Sequence, residues 1–222
     1  MTDTTPPRVR RDRPAANPDR PDGLLVLLHG YGSNEQDLFG LADHLPADPV
    51  IASLRAPLSP PWPAPGYSWY PIGGLDGRDP SALTAAAEAV LAWADEHAAD
   101  AASIAFLGFS QGGAMSLQLL RLAPERVTFA VNLSGYAAGG ELPGDAVLAE
   151  TRPPVFWGRG SADEVIPESA IAHTAAWLPE HSELSGRIYP GMGHSVSQEE
   201  MTDLHHFLTL RYKTAAKTTP TA

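Results

Sequence analysis

The chain has 222 residues and a mass of 23.5 kDa, which fits one large domain better than two. Its net charge is −11, and residues 23–210 carry 7 basic against 22 acidic side chains. This balance disfavours nucleic acids and anionic membrane surfaces as partners, because both require a basic face. Without cysteine, the chain has no disulfide, no thiolate nucleophile and no cysteine-based metal site.

The apolar runs are too short to cross a bilayer. The run Leu24–Leu28 has five residues, whereas a spanning helix needs roughly 20. Arg10-Arg11 resembles part of a twin-arginine export signal, but polar and proline residues follow where the apolar region of such a signal should be. We therefore expect a cytoplasmic protein without stable membrane association. The sequence leaves the oligomeric state open, with a homodimer as one alternative.

Residues 1–22 contain five prolines and charges of alternating sign, which predicts an extended or partly disordered leader; residues 213–222 predict a flexible tail. Between them, apolar runs of strand character alternate with helical stretches. The predicted strands are 24–28, 50–54, 104–109, 127–133, 155–157 and 184–189. The predicted helices are 35–45, 81–99, 111–122, 167–178 and 198–212. Several strands are continuously apolar, so residues 23–212 predict a single α/β domain with a mostly parallel sheet and helices on both faces.

Residues 56–79 form the one long stretch without a regular pattern. Prolines crowd around Trp62, Tyr67, Trp69 and Tyr70, which predicts a loop. Ordered loops of this length are uncommon unless they bind a ligand or act as a lid, and this favours a binding element. A proline-stiffened cover over a sheet edge explains the pattern equally well.

The most informative motif is Gly108-Phe109-Ser110-Gln111-Gly112, between an apolar run and a helical stretch. In a strand–turn–helix context, this pattern raises the serine hydroxyl above the sheet, and the two glycines allow the strand and helix to approach each other. The following helix N-terminus favours a developing oxyanion. Ser110 is therefore the candidate nucleophile; a glycine-rich turn without chemistry is the alternative.

A serine nucleophile needs a histidine base and an orienting acid, which follow in the order acid, then histidine, in α/β-hydrolases. His194 lies after the last predicted strand and before the last helix, where a loop can reach the serine. Asp163 follows the preceding strand and is the candidate acid, with Glu164 as its near rival. Glu141 and Asp145 lie in an earlier loop rich in glycine and proline, and we expect them to be solvated.

His29-Gly30-Tyr31-Gly32 follows the first strand of the domain, from which backbone N–H groups can face the nucleophile. The candidate oxyanion donors are the N–H groups of Tyr31 and Gln111. His29 is expected to brace the loop by hydrogen bonds instead of acting as a second base.

Four strings resemble the phospholipase/carboxylesterase family of α/β-hydrolases, which includes the acyl-protein thioesterases: LHGYGSNEQDL (28–38), GFSQGGAM (108–115), DEVIP (163–167) and Gly193-His194. The resemblance covers about residues 23–212. It implies a triad of Ser110, Asp163 and His194, oxyanion donors at Tyr31 and Gln111, and esterase activity without a cofactor or metal. The sequence departs from the family in its proline-rich loop and in lacking a clear first antiparallel hairpin.

The sequence thus predicts a serine carboxylesterase that hydrolyses small-molecule esters through an acyl-enzyme. Only 18 residues separate Ser134 from Pro153, too few for a cap domain. Trp69 and Tyr70 are expected to wall a shallow groove, with Val165 on the opposite rim, which favours short- to medium-chain esters and no activation at a lipid–water interface. The alternatives are an acyl-protein thioesterase acting on thioesters, a lysophospholipase, or a catalytically idle small-molecule receptor.

Overall fold

The computed structural model of the chain describes residues 8–10, 23–47, 49–73, 77–101 and 103–215. The strands in these ranges are Arg8–Arg10 (β1), Leu24–Leu28 (β2), Val50–Leu54 (β3), Ile72–Gly73 (β4), Gly77–Arg78 (β5), Ile104–Phe109 (β6), Val127–Leu133 (β7), Pro154–Gly160 (β8) and Glu183–Tyr189 (β9). The main sheet has the order β1-β3-β2-β6-β7-β8-β9, and β4 and β5 form a separate ladder. All neighbouring strands of the main sheet are parallel except β1 and β3, which are antiparallel.

Helices cover both faces of this sheet. They are Glu35–Phe39 (α1), Pro80–His97 (α2), Gln111–Leu122 (α3), Pro143–Thr151 (α4), Glu168–His181 (α5) and Gln198–Ala215 (α6), with a 3₁₀ turn at Ala42–His44. Leu83 of α2, Leu117 of α3 and Leu178 of α5 belong to the core on one face. Leu38 of α1 and Leu204 of α6 belong to the core on the other. The predicted α/β class, with a mostly parallel sheet between two helical layers, is confirmed.

Most predicted elements lie where the apolar runs placed them, and β2, β3, β6, β7 and α3 have the predicted bounds. The helix predicted over 35–45 ends at Phe39, with Gly40 as its C-cap, and Ala42–His44 form a separate 3₁₀ turn. The sequence did not predict the short strands β1, β4 and β5 or the helix α4. In α4, Pro143 is the first helical residue, a position where a missing N–H costs nothing.

The expectation that Asp145 is solvated is wrong. Its carboxylate, on α4, accepts two hydrogen bonds from the guanidinium of Arg121, at 2.8 and 2.7 Å, and Arg121 is almost fully buried. The same guanidinium donates to the carbonyls of Ala138 and Gly140. Arg121 therefore ties α4 and the segment after β7 to the end of α3.

Of the segment 56–79, residues 56–73 and 77–79 contain more regular structure than the predicted loop. Besides β4 and β5, single bridges join Ser33 to Tyr67 and Leu58 to Ser68, so the proline-rich segment doubles back on itself and lies against the turn after β2. This contact places the segment beside the carboxyl end of the sheet.

Of the predicted leader, the structure describes Arg8–Arg10, which is extended as β1, and the rest of the leader lies outside the described residues. The flexible tail predicted from residue 213 starts too early, because α6 continues to Ala215; residues 216–222 lie outside the described residues. No helix in the described part of the chain is both long and apolar enough to cross a membrane.

Candidate active site

The turn between β6 and α3 holds Ser110 in a strained backbone conformation, with φ 54° and ψ −113°. A positive φ is rare for a residue other than glycine and marks a conformation that the surrounding structure enforces. The N–H of Ser110 donates to the carbonyl of Leu133 at 2.8 Å. A Cβ on Gly112 would overlap the carbonyl oxygen of Leu28, and one on Gly108 would overlap that of Gly112. Glycine at both positions lets the helix approach the strands closely enough for this turn.

Ser110, His194 and Asp163 form one chain of hydrogen bonds. The Nδ1–H of His194 donates to Asp163 Oδ2 over 2.8 Å. Nε2 of the same ring is then the acceptor for the Ser110 hydroxyl, over 2.9 Å. This arrangement directs a lone pair of the imidazole at the proton of the serine hydroxyl.

Asp163 is held as a carboxylate. Its side chain is 1% exposed, and Oδ1 accepts hydrogen bonds from the N–H groups of Val165 and Ile166. Burial alone would raise the pKa of Asp163, but the hydrogen bonds from His194 and from these two N–H groups outweigh burial, so its pKa is below the usual value. An ionised acid in this position stabilises positive charge on His194. The rival acid, Glu164, is exposed, and the carboxylate that accepts from His194 Nδ1 is that of Asp163.

The loops that carry Asp163 and His194 are hydrogen-bonded to each other. Ser161 N–H donates to the carbonyl of Tyr189, and Ala162 N–H to that of Met192. The N–H of Gly191 donates to Ser161 Oγ at 2.8 Å. Because β8 and β9 are adjacent and parallel, the loops leave the same edge of the sheet, and these bonds bring the acid and the base together.

The turn after β2 lies against Ser110. A Cβ on Gly30 would be 3.5 Å from the Cβ of Ser110. The N–H groups of Tyr31 and Gln111 have no hydrogen-bond acceptor among the described residues, unlike that of Gly32, which donates to Tyr67. These two N–H groups, one in the turn after β2 and one at the start of α3, are thus available to an oxyanion beside Ser110.

His29 has a bracing role. It is fully buried, and its Nε2 accepts the N–H of Ala56, so Nδ1 carries the proton and donates to the carbonyl of Gly30 at 2.7 Å. Burial lowers the pKa of His29, which keeps the imidazole neutral. As expected, His29 fixes the turn instead of forming a second base.

Residues 15–212 match the model of the phospholipase/carboxylesterase family. This chain belongs to that family. It is 30% identical over 211 residues to a probable carboxylesterase of Oryza sativa subsp. japonica, covering 87% of this chain and 79% of the relative. It is 27% identical over 214 residues to acyl-protein thioesterase 1 of Kluyveromyces lactis, covering 86% and 92%. The chain is accordingly a hydrolase that acts on esters.

Solved structures share the fold of this family member. Acyl-protein thioesterase 2 of Zea mays superposes with a TM-score of 0.75 at 24% identity, over 93% of this chain and 99% of that one. A carboxylesterase of Bacillus cereus superposes with a TM-score of 0.76 at 18% identity, over 94% and 93%. At such identities the likeness concerns the fold alone.

The two aromatic residues expected to wall the groove lie in the core of the esterase. Trp69 and Tyr70 are 4% and 1% exposed. The side-chain amide of Gln111 accepts from the N–H of Trp69 and donates to the carbonyl of Tyr70, and the indole N–H of Trp69 donates to the carbonyl of His29. These contacts differ from our expectation, because the two residues hold the proline-rich segment against the turn between β6 and α3 and their rings offer little surface to a substrate. Val165, in contrast, is 55% exposed beside Asp163.

Phe109 is the residue at this site that the sequence analysis passed over. Its ring lies against that of His194, with centroids 4.9 Å apart and an interplanar angle of 45°. The position directly before the nucleophile was the available signal. Phe109 supports the imidazole from the α6 side of the sheet, where it packs on that core.

Proposed function

We propose that the protein is a serine carboxylesterase in which Ser110 is the nucleophile, His194 the general base and Asp163 the orienting acid. The observation that carries the proposal is the pair of hydrogen bonds from Ser110 to His194 and from His194 to Asp163, at 2.9 and 2.8 Å. A serine hydroxyl is a weak nucleophile unless a base takes its proton, and this geometry supplies the base. The strained backbone of Ser110 is additional support.

In the proposed reaction, Ser110 Oγ attacks the acyl carbon while its proton moves to His194 Nε2. The carbonyl oxygen becomes an oxyanion, which the N–H groups of Tyr31 and Gln111 and the N-terminus of α3 stabilise. The C–O bond of the ester breaks, and His194 returns the proton to the leaving alkoxide. Water then attacks the acyl-enzyme in the same manner and releases the carboxylic acid. The serine proton leaves with the alcohol and a proton from water replaces it on Ser110, so the enzyme is regenerated and the reaction needs no cofactor or metal.

We propose short- to medium-chain esters as substrates and a cytoplasmic location. Thioester or lysophospholipid hydrolysis is a second candidate, favoured by the relatives and structural neighbours named acyl-protein thioesterase. A panel of p-nitrophenyl esters from acetate to palmitate, run beside acyl-CoA and lysophospholipid, separates these activities. The proposal expects the highest kcat/KM among short to medium esters, and a steady rise to palmitate would contradict it.

A receptor that has kept the fold without the chemistry is the alternative from another class. Fluorophosphonates react with an activated serine and leave an ordinary one untouched. Stoichiometric labelling of the protein, prevented by prior denaturation, is expected. An unlabelled folded protein would favour the receptor.

A further inference from the structure

A cavity of about 260 Å³ lies between the N-terminal turn of α2, the segment after β7 and the first turns of α5. Its floor is apolar and includes the buried residues Leu83, Tyr136 and Ala137. The exposed residues Asp79 and His173 lie on its rim. The volume is below the roughly 300–1,000 Å³ of sites that bind drug-sized ligands, so the cavity fits a short chain.

Two residues that line the cavity directly follow residues that contact Ser110 and Asp163. On one side, Gly135 packs against the turn between β6 and α3. A Cβ on Gly135 would lie 2.7 Å from the carbonyl oxygen of Ser110, and the next residue, Tyr136, lines the cavity. On the other side, the N–H of Ile166 donates to Asp163 at 3.2 Å, and the next residue, Pro167, lines the cavity. A group joined to the carbon that Ser110 attacks can therefore extend into this space.

The position of His194 decides which half of the ester extends there. His194 gives its proton to the leaving alkoxide, so the alcohol part must leave on the side of the imidazole. That side is the face of α6, because the ring lies against Phe109, which packs on the α6 core. Leu83, Tyr136 and Ala170 belong to the opposite core, with α2 and α5. The cavity consequently lies on the acyl side of the nucleophile.

Asp79 places a fixed negative charge at the rim. It caps α2, and its Oδ1 accepts hydrogen bonds from the N–H and the hydroxyl of Ser81, both at 2.8 Å. The hydrogen bonds from Ser81 lower the pKa of Asp79, so the group stays ionised at neutral pH. Its carboxylate repels a second anion.

We propose that this cavity binds the acyl chain of the ester, and that Asp79 at its rim discriminates against acyl chains that end in a carboxylate. The preferred substrates are then esters of short, uncharged carboxylic acids, and half-esters of dicarboxylic acids are poor substrates. This inference rests on the proposed esterase function.

The test compares p-nitrophenyl butyrate with mono-p-nitrophenyl succinate, which have equal chain length and differ in the terminal charge. In Asp79→Asn, the ratio of kcat/KM for succinate to that for butyrate is expected to rise about fivefold, the factor for one pair of unit charges about 4 Å apart in water. Asparagine still caps a helix, which keeps α2 in place. The gain should shrink in about 1 M salt, where exposed charges are screened.

Glu88→Gln is the matched control, since Glu88 is an exposed acid on the same helix and does not line the cavity. It should leave the ratio unchanged. All ratios are taken at one pH. An unchanged ratio in Asp79→Asn, or an equal change in Glu88→Gln, would overturn the role of Asp79. A wild-type protein that hydrolyses neither ester would instead overturn the proposed function.

A second pair of variants tests the cavity itself. Ala170 lines it, and Ala170→Leu fills part of the space. The ratio of kcat/KM for hexanoyl to that for acetyl esters should fall at least about fourfold, the factor for one methylene that is no longer buried. Ala176→Leu, at an exposed position on α5 outside the cavity, is the control and should leave the ratio unchanged. An equal loss for both esters in Ala170→Leu would show that the acyl chain binds elsewhere.

Discussion

The carboxyl group of Glu200 lies so close to Gly158 that a Cβ on residue 158 would overlap Oε1. Glu200 is fully buried in the first turn of α6, and its two oxygens have no hydrogen-bond partner among the described residues. Burial raises the pKa of Glu200 to about 7; the backbone of Ser197 acts in the opposite direction, and the nearby charge of Asp203 adds a smaller increase. A buried acid therefore lies between β8 and α6. Asp163 follows β8 in the chain, and His194 precedes α6.

This buried acid makes stability depend on pH. The folded protein binds the Glu200 proton more tightly than the unfolded chain, so the free energy of unfolding falls as pH rises from the usual pKa of 4.5 to about 7, and then levels off. Glu200→Gln removes this dependence. Between about pH 5 and pH 8, the wild type should lose about 1–3 kcal/mol relative to the variant in urea unfolding. Exposed Glu199→Gln is the control, and parallel pH curves for wild type and Glu200→Gln would contradict the prediction.

Gly112 allows α3 to approach the end of β2. In Gly112→Ala, the added methyl would overlap the carbonyl of Leu28, so we expect a loss of about 2–3 kcal/mol or more in the free energy of unfolding. Gly139→Ala is the matched control, because a Cβ there meets no described atom within 4 Å. Equal melting temperatures for the two variants would mean that the close approach is not required.

Removing one partner of the buried ion pair of Arg121 and Asp145 should lower the free energy of unfolding more than removing both partners. Arg121→Met leaves the Asp145 carboxylate without its partner and is expected to cost about 3–5 kcal/mol. Adding Asp145→Asn should recover part of that loss in denaturant unfolding. A double variant less stable than Arg121→Met would contradict this account of the pair.

Asp163 fixes the tautomer of His194 through the hydrogen bond to Nδ1. Asparagine at this position favours the wrong tautomer, so Asp163→Asn should lower kcat on the order of 10⁴-fold, as in the corresponding serine-protease variant. Glu164→Gln removes the neighbouring exposed acid and should keep near-normal kcat. The reverse pattern would identify Glu164 as the acid.

The strands and the turn at Ser110 were predictable from the sequence, because both depend on local patterns of residues. Continuously apolar runs predicted the parallel strands, and the glycines around Ser110 predicted a turn that the structure shows to be tight on both sides. The buried state of Trp69 and Tyr70 was not predictable in this way, because it depends on hydrogen bonds to Gln111, about 40 residues away in the chain. Similarly, α4 escaped prediction because its contact with Arg121 joins distant segments.

If Ser110 is the nucleophile, it carries the acyl group during turnover. The direct measurement is acid quenching of the enzyme during turnover of p-nitrophenyl butyrate, followed by peptide mass mapping. We expect a butyryl group on the peptide that contains Ser110, and in a folded Ser110→Ala protein no such adduct and a kcat about 10⁶-fold lower. An adduct on another residue, or near-normal turnover by Ser110→Ala, would contradict the account.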